Sequence, residues 1–211
     1  EGNGRPAARR PMSRLRALAT GCAAALLVAG CATPVPPPET TPAGAAPNFW
    51  SGRFAVTYTE GGYQPREERS SGRFSLRADG ERRELELSSP LGQTLAQVTL
   101  DAGEALLVAA DGREYRAPSG ETLTEQVFGW RVPIGDLPRW LAGRVARPTQ
   151  RDEGRVVAGI DSGWSVRFEA FDGERPRRLS LAWPADAGGA RRLELKLVVD
   201  SVARVAAGEP R

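Results

Sequence analysis

Glu84-Leu85-Glu86-Leu87-Ser88-Ser89-Pro90-Leu91-Gly92-Gln93-Thr94-Leu95-Ala96-Gln97-Val98-Thr99-Leu100 contains two strands and the loop that joins them. Leu85 and Leu87 alternate with Glu84, Glu86 and Ser88, which is the two-residue period of a strand with one apolar face. Ala96, Val98 and Leu100 repeat the pattern against Gln97 and Thr99. Between them Pro90 and Gly92 force a loop, because proline fixes φ and lacks an N–H while glycine reaches positive φ freely. Leu91 sits at the tip and breaks the polar rule for loops. It either tucks under the loop or projects and dips into a membrane or partner; the side chain's chemistry alone favours the tucked form.

The same alternation runs outward in both directions. Phe54, Val56 and Tyr58 oppose Arg53, Ala55 and Thr57; Phe74 and Leu76 oppose Arg73, Ser75 and Arg77. Further along, Trp164, Val166, Phe168 and Ala170 form one face, as do Leu179, Leu181 and Trp183, and Leu193, Leu195 and Leu197. Turn signals separate such segments at Gly61-Gly62, Asp79-Gly80, Asp111-Gly112, Asp172-Gly173 and Gly188-Gly189. Strands joined this way form an antiparallel meander, and a sheet with one apolar face must curl on itself or be covered. Two short helices in the middle supply a cover. Thr122-Leu123-Thr124-Glu125 fits a capping box, with Val127, Phe128 and Trp130 on or just after the helix. Asp136-Leu137-Pro138 opens the second helix, on which Leu137, Trp140 and Leu141 share a face and which Gly143 can end.

The N-terminal part has another character. The only methionine is Met12, so residues 1–11 read as upstream of the start. Residues 12–30 read as an export signal: Arg14 and Arg16, then an apolar run from Ala17 to Ala29. As a helix that run rises only about 20 Å, short of a ~30 Å hydrocarbon core. It ends Val28-Ala29-Gly30-Cys31, which is similar to the lipobox of bacterial lipoproteins. That similarity implies cleavage before Cys31, an S-diacylglyceryl group on its thiol and an acyl group on its new amine. Residues 31–48 are rich in proline and small residues and read as an extended tether of up to roughly 50 Å. Residues 49–203 make the folded domain, and 204–211 an Ala/Gly-rich frayed tail.

Composition excludes several chemistries. Residues 1–30 hold five arginines and one glutamate, a net of +4 in a chain of net +3, so the remainder carries −1. The basic balance therefore lies in the segment expected to be removed, and nothing points to nucleic acid. The chain has no histidine, and its two cysteines are Cys22, inside the signal, and Cys31. Histidine-based catalysis, thiolate metal sites and disulfides in the domain are excluded with them. No metal or cofactor beyond the lipid on Cys31 is expected. Acidic residues sit on polar strand faces and in turns, without a pair embedded in apolar sequence.

Ser89-Pro90-Leu91-Gly92-Gln93-Thr94 resembles the Asn-Pro-Leu-Gly-Ser-Thr type of loop in the LolB family of outer-membrane lipoprotein receptors. The order around it is similar too: Gly52-Arg53-Phe54-Ala55-Val56 before it, then Gly129-Trp130, Pro133-Ile134, Leu137, Trp140-Leu141, Gly143 and Gly163-Trp164-Ser165-Val166. The resemblance spans roughly Phe49 to Val199, together with the lipobox. It implies an open, incomplete antiparallel β-barrel of about ten or eleven strands under a helical lid, with an apolar cavity for acyl chains. Phe54, Phe74, Leu87, Val98, Trp130, Leu137, Trp140, Leu141, Val166, Phe168 and Trp183 are the candidates for cavity and lid. Pro90, Leu91 and Gly92 become the membrane-insertion loop, which reverses the preference for a tucked Leu91.

The implied role is non-enzymatic. A monomeric, lipid-anchored protein facing the periplasm would accept acylated lipoproteins from a LolA-like carrier and pass them to the inner leaflet of the outer membrane. One departure stands out: such proteins carry a helix between tether and first strand, whereas here Pro47-Asn48-Phe49-Trp50 runs into the strand, leaving Phe49 or Trp50 to replace it. Three other readings stay open at this level: a lipoprotein for other envelope lipids, a structural lipoprotein with a filled interior, and a carboxylate-dependent glycan hydrolase.

Overall fold

The computed structural model describes residues 46–184 and 191–206. They form eleven strands: β1 (Phe49–Glu60), β2 (Arg66–Asp79), β3 (Arg82–Ser88), β4 (Thr94–Asp101), β5 (Glu104–Ala109), β6 (Glu114–Ala117), β7 (Arg147–Asp152), β8 (Arg155–Asp161), β9 (Trp164–Asp172), β10 (Arg175–Trp183) and β11 (Arg191–Ala203). Between β6 and β7 lie helix α1 (Gly120–Phe128), a 3-10 turn (Ile134–Asp136) and helix α2 (Leu137–Leu141). All eleven strands belong to one sheet in the order β6-β5-β4-β3-β2-β1-β11-β10-β9-β8-β7. Every neighbour is antiparallel, so the chain makes two meanders joined where its first and last strands pair. This is the open antiparallel half-barrel with a helical cover that the alternation and the resemblance implied.

The sheet ends at two free edges, β6 and β7. The β6 edge is four residues long. The β7 edge is exposed throughout, carries Pro148 and loses register twice against β8. Short, bulged and proline-bearing edges resist pairing with other chains. The helices span the segment between these edges and bring their apolar side chains onto the inward face.

Two glycines set the inward surface of the central strands. Gly52 stands opposite Phe74, and Gly72 opposite Phe54, across the β1–β2 pair. A Cβ at Gly52 would lie 2.0 Å from the Val198 carbonyl oxygen, and one at Gly72 2.2 Å from that of Ser88. The same atoms would press on the Phe74 and Phe54 rings, at 3.0 and 2.9 Å. Each ring thus leans over the glycine facing it, which only a residue without a side chain permits.

Several details differ from the reading of the sequence. Helix α1 starts three residues earlier than the Thr122 capping box: Ser119 is the cap, and its Oγ accepts from Thr122 N–H. Gly129, at φ 81°, closes that helix through its N–H to the Glu125 carbonyl. Ala170 is exposed at φ 50° instead of continuing the apolar face of β9, and Phe171 packs on the core in its place. Strands β5 to β8 carry too few strong alternations to have been read individually. Trp50 is buried on the inner face of β1 and Phe49 is half-buried; neither lines the cavity described below, so neither replaces a lid helix there.

The domain also begins and ends beyond 49–203. Asn48 is buried; its side chain donates to Asp79 and the Val205 carbonyl and accepts from Val205 N–H. The start of the supposed tail, 204–206, is therefore tied down. The export signal, Cys31, the tether up to residue 45, the Gly188-Gly189 turn and residues 207–211 lie outside the described residues.

Candidate functional site

Under the helices the inward face of the sheet leaves a cavity of about 430 Å³. Its floor comes from β1 (Phe54, Val56, Tyr58), β2 (Phe74, Leu76), β3 (Leu85, Leu87), β4 (Ala96, Val98) and β11 (Leu193, Leu195, Leu197). Its cover comes from Phe128, Trp130, Val132, Ile134, Leu137 and Leu141. A concave, nearly all-apolar space of this size falls within the ~300–1,000 Å³ range of ligand sites. Hydrocarbon gains from entering it in proportion to the area removed from water.

Few polar groups reach this space. Thr124 does, but its Oγ accepts from Val132 N–H at 2.8 Å and donates to the Glu121 carbonyl at 3.1 Å. Glu68, Arg69 and Ser70 sit at the rim and are exposed, on a part of β2 that extends past the end of β3. Among the described residues no group of histidine, cysteine and acidic side chains could hold a metal. The lining thus has groups suited to holding an apolar ligand and no buried acid or base aimed at one.

The cover has two unlike ends. At one, Trp130 stacks on Tyr58 of the floor with ring centroids 4.8 Å apart, and Phe128 follows at 6.3 Å from Trp130. The loop carrying Trp130 is held by the Thr124–Val132 bond and by Arg131 to Glu125 at 2.8 Å, which is exposed. At the other end α2 is clamped. Asp161 at the end of β8 is buried and accepts from Trp140 Nε1–H at 2.9 Å, Ala146 N–H at 3.0 Å and Arg139 Nη2–H at 2.8 Å. Arg139 also bonds Asp136 at 2.9 Å.

Of the eleven cavity and lid candidates, Phe54, Phe74, Leu87, Val98, Trp130, Leu137 and Leu141 line this one space. Trp140, Val166, Phe168 and Trp183 do not. Trp140 is buried, bonded through Nε1–H to Asp161, and its ring lies 6.4 Å from that of Trp164. Val166 and Phe168 are buried in the filled half of the interior, on β9. Trp183 is half-buried beside Gly163, at the β8–β9 turn. Phe128, Val56 and Leu195 also line the cavity and Asp161 holds α2, though none of the four is among the eleven candidates. The alternation already implied Val56 and Leu195. Nothing marks Asp161-Ser162-Gly163 as other than a solvent-facing turn.

The β3–β4 loop displays Leu91 rather than tucking it: the side chain is 91% exposed. The loop is closed by Ser89 N–H to the Gln93 carbonyl at 2.7 Å and Gly92 N–H to the Ser89 carbonyl at 2.9 Å, with Gly92 at φ 86°. Pro90 stiffens it further, so the apolar tip is held out by a defined turn. Leu95, four residues on, is both partly exposed and part of the cavity lining, so the loop leads directly to the rim.

The class this defines is a curved, open antiparallel sheet with short helices over an apolar cavity. The family model described as outer membrane lipoprotein LolB matches residues 49–201. The outer-membrane lipoprotein LolB of Cupriavidus necator is 35% identical over 90% of this chain and 98% of its own length. That of Bordetella petrii is 38% identical over 78% of this chain and 82% of its own. The crystal structure of the LolA superfamily protein NE2245 from Nitrosomonas europaea covers 78% of this chain and 89% of its own, with a TM-score of 0.46 and 10% identity. The chain belongs to the LolB family of outer-membrane lipoproteins, which are lipoprotein receptors and not enzymes. Membership implies that its partners are the LolA carrier and the lipoproteins that carrier delivers.

Proposed function

We propose that this chain takes the acyl chains of a lipoprotein from the LolA carrier into the cavity beneath Trp130, then releases them into the inner leaflet of the outer membrane. The observation that supports this most directly is proximity along the chain: the exposed apolar tip at Leu91 is four residues from Leu95, which lines the cavity at its exposed rim. Each buried CH₂ is worth ~0.8 kcal/mol, so chains that pass from one apolar enclosure to the next avoid the cost of crossing water. No bond is made or broken, and direction follows relative affinity: carrier, then this cavity, then bilayer. Trp130 and Phe128 form the part of the cover that moves, while α2 stays clamped to β8. Leu91 enters the headgroup region and brings the rim to the bilayer. Lipidated Cys31, joined to β1 by the proline-rich segment, keeps the domain at that membrane.

The test is a transfer assay. A chain covering 40–211, which carries every described residue, is incubated without lipid modification with carrier loaded with labelled lipoprotein, and the two are separated by size. Label moves to the receptor chain, and moves on to liposomes with native Leu91 but not with Leu91→Glu. Label that stays on the carrier overturns the reading.

A further inference from the structure

The outer face of the sheet is covered by no described residue, and its centre is basic. Two adjacent cross-strand rows carry the charge. In one, Arg73 of β2, Arg53 of β1, Val198 of β11, Arg178 of β10 and Glu169 of β9 stand side by side. In the next, Ser71, Ala55, Lys196, Ser180 and Arg167 do the same. All five cations are exposed. The carboxylates beside them are Glu169, which accepts from Ser180 Oγ, Asp200, which pairs with Arg53 at 3.0 Å, Glu194, which pairs with Arg192, and Glu86, which stands opposite Ser75. Arg73, Arg178, Arg167 and Lys196 have no ion-pair partner among the described residues. The side chains between them are small, so the cationic groups stand clear of the sheet.

We propose that this face, centred on β2, β1, β11 and β10, docks on an anionic phospholipid surface. The proposal rests on the release step above and adds to it an electrostatic contact beside the Leu91 loop. Two observations favour a bilayer over an acidic protein. None of the four unpaired cations lines the apolar cavity or the smaller polar pocket beside Asp200, and their dispersal over the face suits the diffuse charge of many headgroups. And Arg73 pairs across the strands with Ser88, where the loop to Leu91 begins, so the basic area adjoins an exposed apolar tip. Cations beside an apolar wedge are the combination by which interfacial proteins bind anionic bilayers. Guanidinium groups, three of the four unpaired cations, also match phosphate oxygens two at a time.

The experiment is co-sedimentation of chain 40–211 with vesicles of phosphatidylcholine alone, or of phosphatidylcholine mixed with phosphatidylglycerol. The native chain binds the anionic vesicles more tightly, and salt weakens that binding. Each cation near such a surface contributes roughly fivefold to partitioning, so Arg73→Gln/Arg178→Gln/Lys196→Gln loses at least ~10-fold. The variant with both arginines changed to lysine keeps most of the binding, which separates charge from misfolding. Uptake of a fluorescent acyl probe is measured alongside. The glutamine variant retains it, whereas a native chain that takes up no probe fails the receptor reading and leaves the vesicle result to stand by itself. Equal binding to both vesicle types, or by native and glutamine chains, overturns the proposal. So does a glutamine variant that binds vesicles normally but no longer accepts label from the carrier, because the face would then serve an acidic protein.

Discussion

The two halves of the interior are built from the same kinds of residue and end differently. Around β1 to β4 the inward side chains are Phe54, Phe74, Leu87 and Val98, and they border empty space. Around β8 to β10 they are Val166, Phe168, Leu179 and Leu181, all almost fully buried and packed with Trp140 and Trp164. Alternation specifies which face of a strand is apolar, but not whether the space in front of it is filled. That is decided by the cover. Asp161 fixes α2 and buries its tryptophan in one half, while over the other half the Trp130 end of the cover is held by the Tyr58–Trp130 stack, the Thr124 bonds and the exposed Arg131–Glu125 pair. One half is a scaffold and the other a container.

The strongest way to break this asymmetry is Asp161→Ala. Arg139 is partly exposed and can recover hydration, but Trp140 Nε1–H and Ala146 N–H would be left without their acceptor. Losing it should destabilise the fold by roughly 3 kcal/mol, read as a lower urea midpoint. Acyl-probe uptake by the folded fraction should survive. Next comes a matched pair of enlargements. Val166→Phe overpacks the filled half and should cost about 1–3 kcal/mol. Leu87→Phe grows into the cavity, should change stability by under ~1 kcal/mol, and should lower probe affinity. Trp130→Ala removes a stacked pair worth about 0.5–1.5 kcal/mol and should speed probe release more than it lowers the melting temperature. Leu91→Glu is the mildest for the fold, within about 0.5 kcal/mol because the side chain is already in water. It should leave probe uptake unchanged and reduce delivery to liposomes.

Much of the container was legible. The strands bearing Phe54, Phe74, Leu87, Val98 and Leu195 show their inward faces in alternation alone. Leu91 is conspicuous as an apolar residue between a proline and a glycine. Trp140 belongs to the covering helix, as its spacing with Leu137 and Leu141 implies, but it does not line the cavity with them. Its Nε1–H bonds a carboxylate 21 residues away, a contact no local pattern carries. The glycines at 52 and 72 were equally opaque, since their need arises from phenylalanines on the facing strand. The basic outer face is equally opaque to local pattern: Arg53, Arg73, Arg178 and Lys196 are far apart along the chain and meet only through strand register.

The claim that one half holds acyl chains and the other does not can be tested by photolabelling. A lipoprotein whose acyl chain ends in a diazirine is transferred to chain 40–211, irradiated, digested and mapped by mass spectrometry. The account predicts adducts on the segments bearing Phe74, Leu87, Val98 and Trp130, and none on the β9 segment bearing Val166 and Phe168. Adducts concentrated on β9, or spread evenly over both halves, would contradict it.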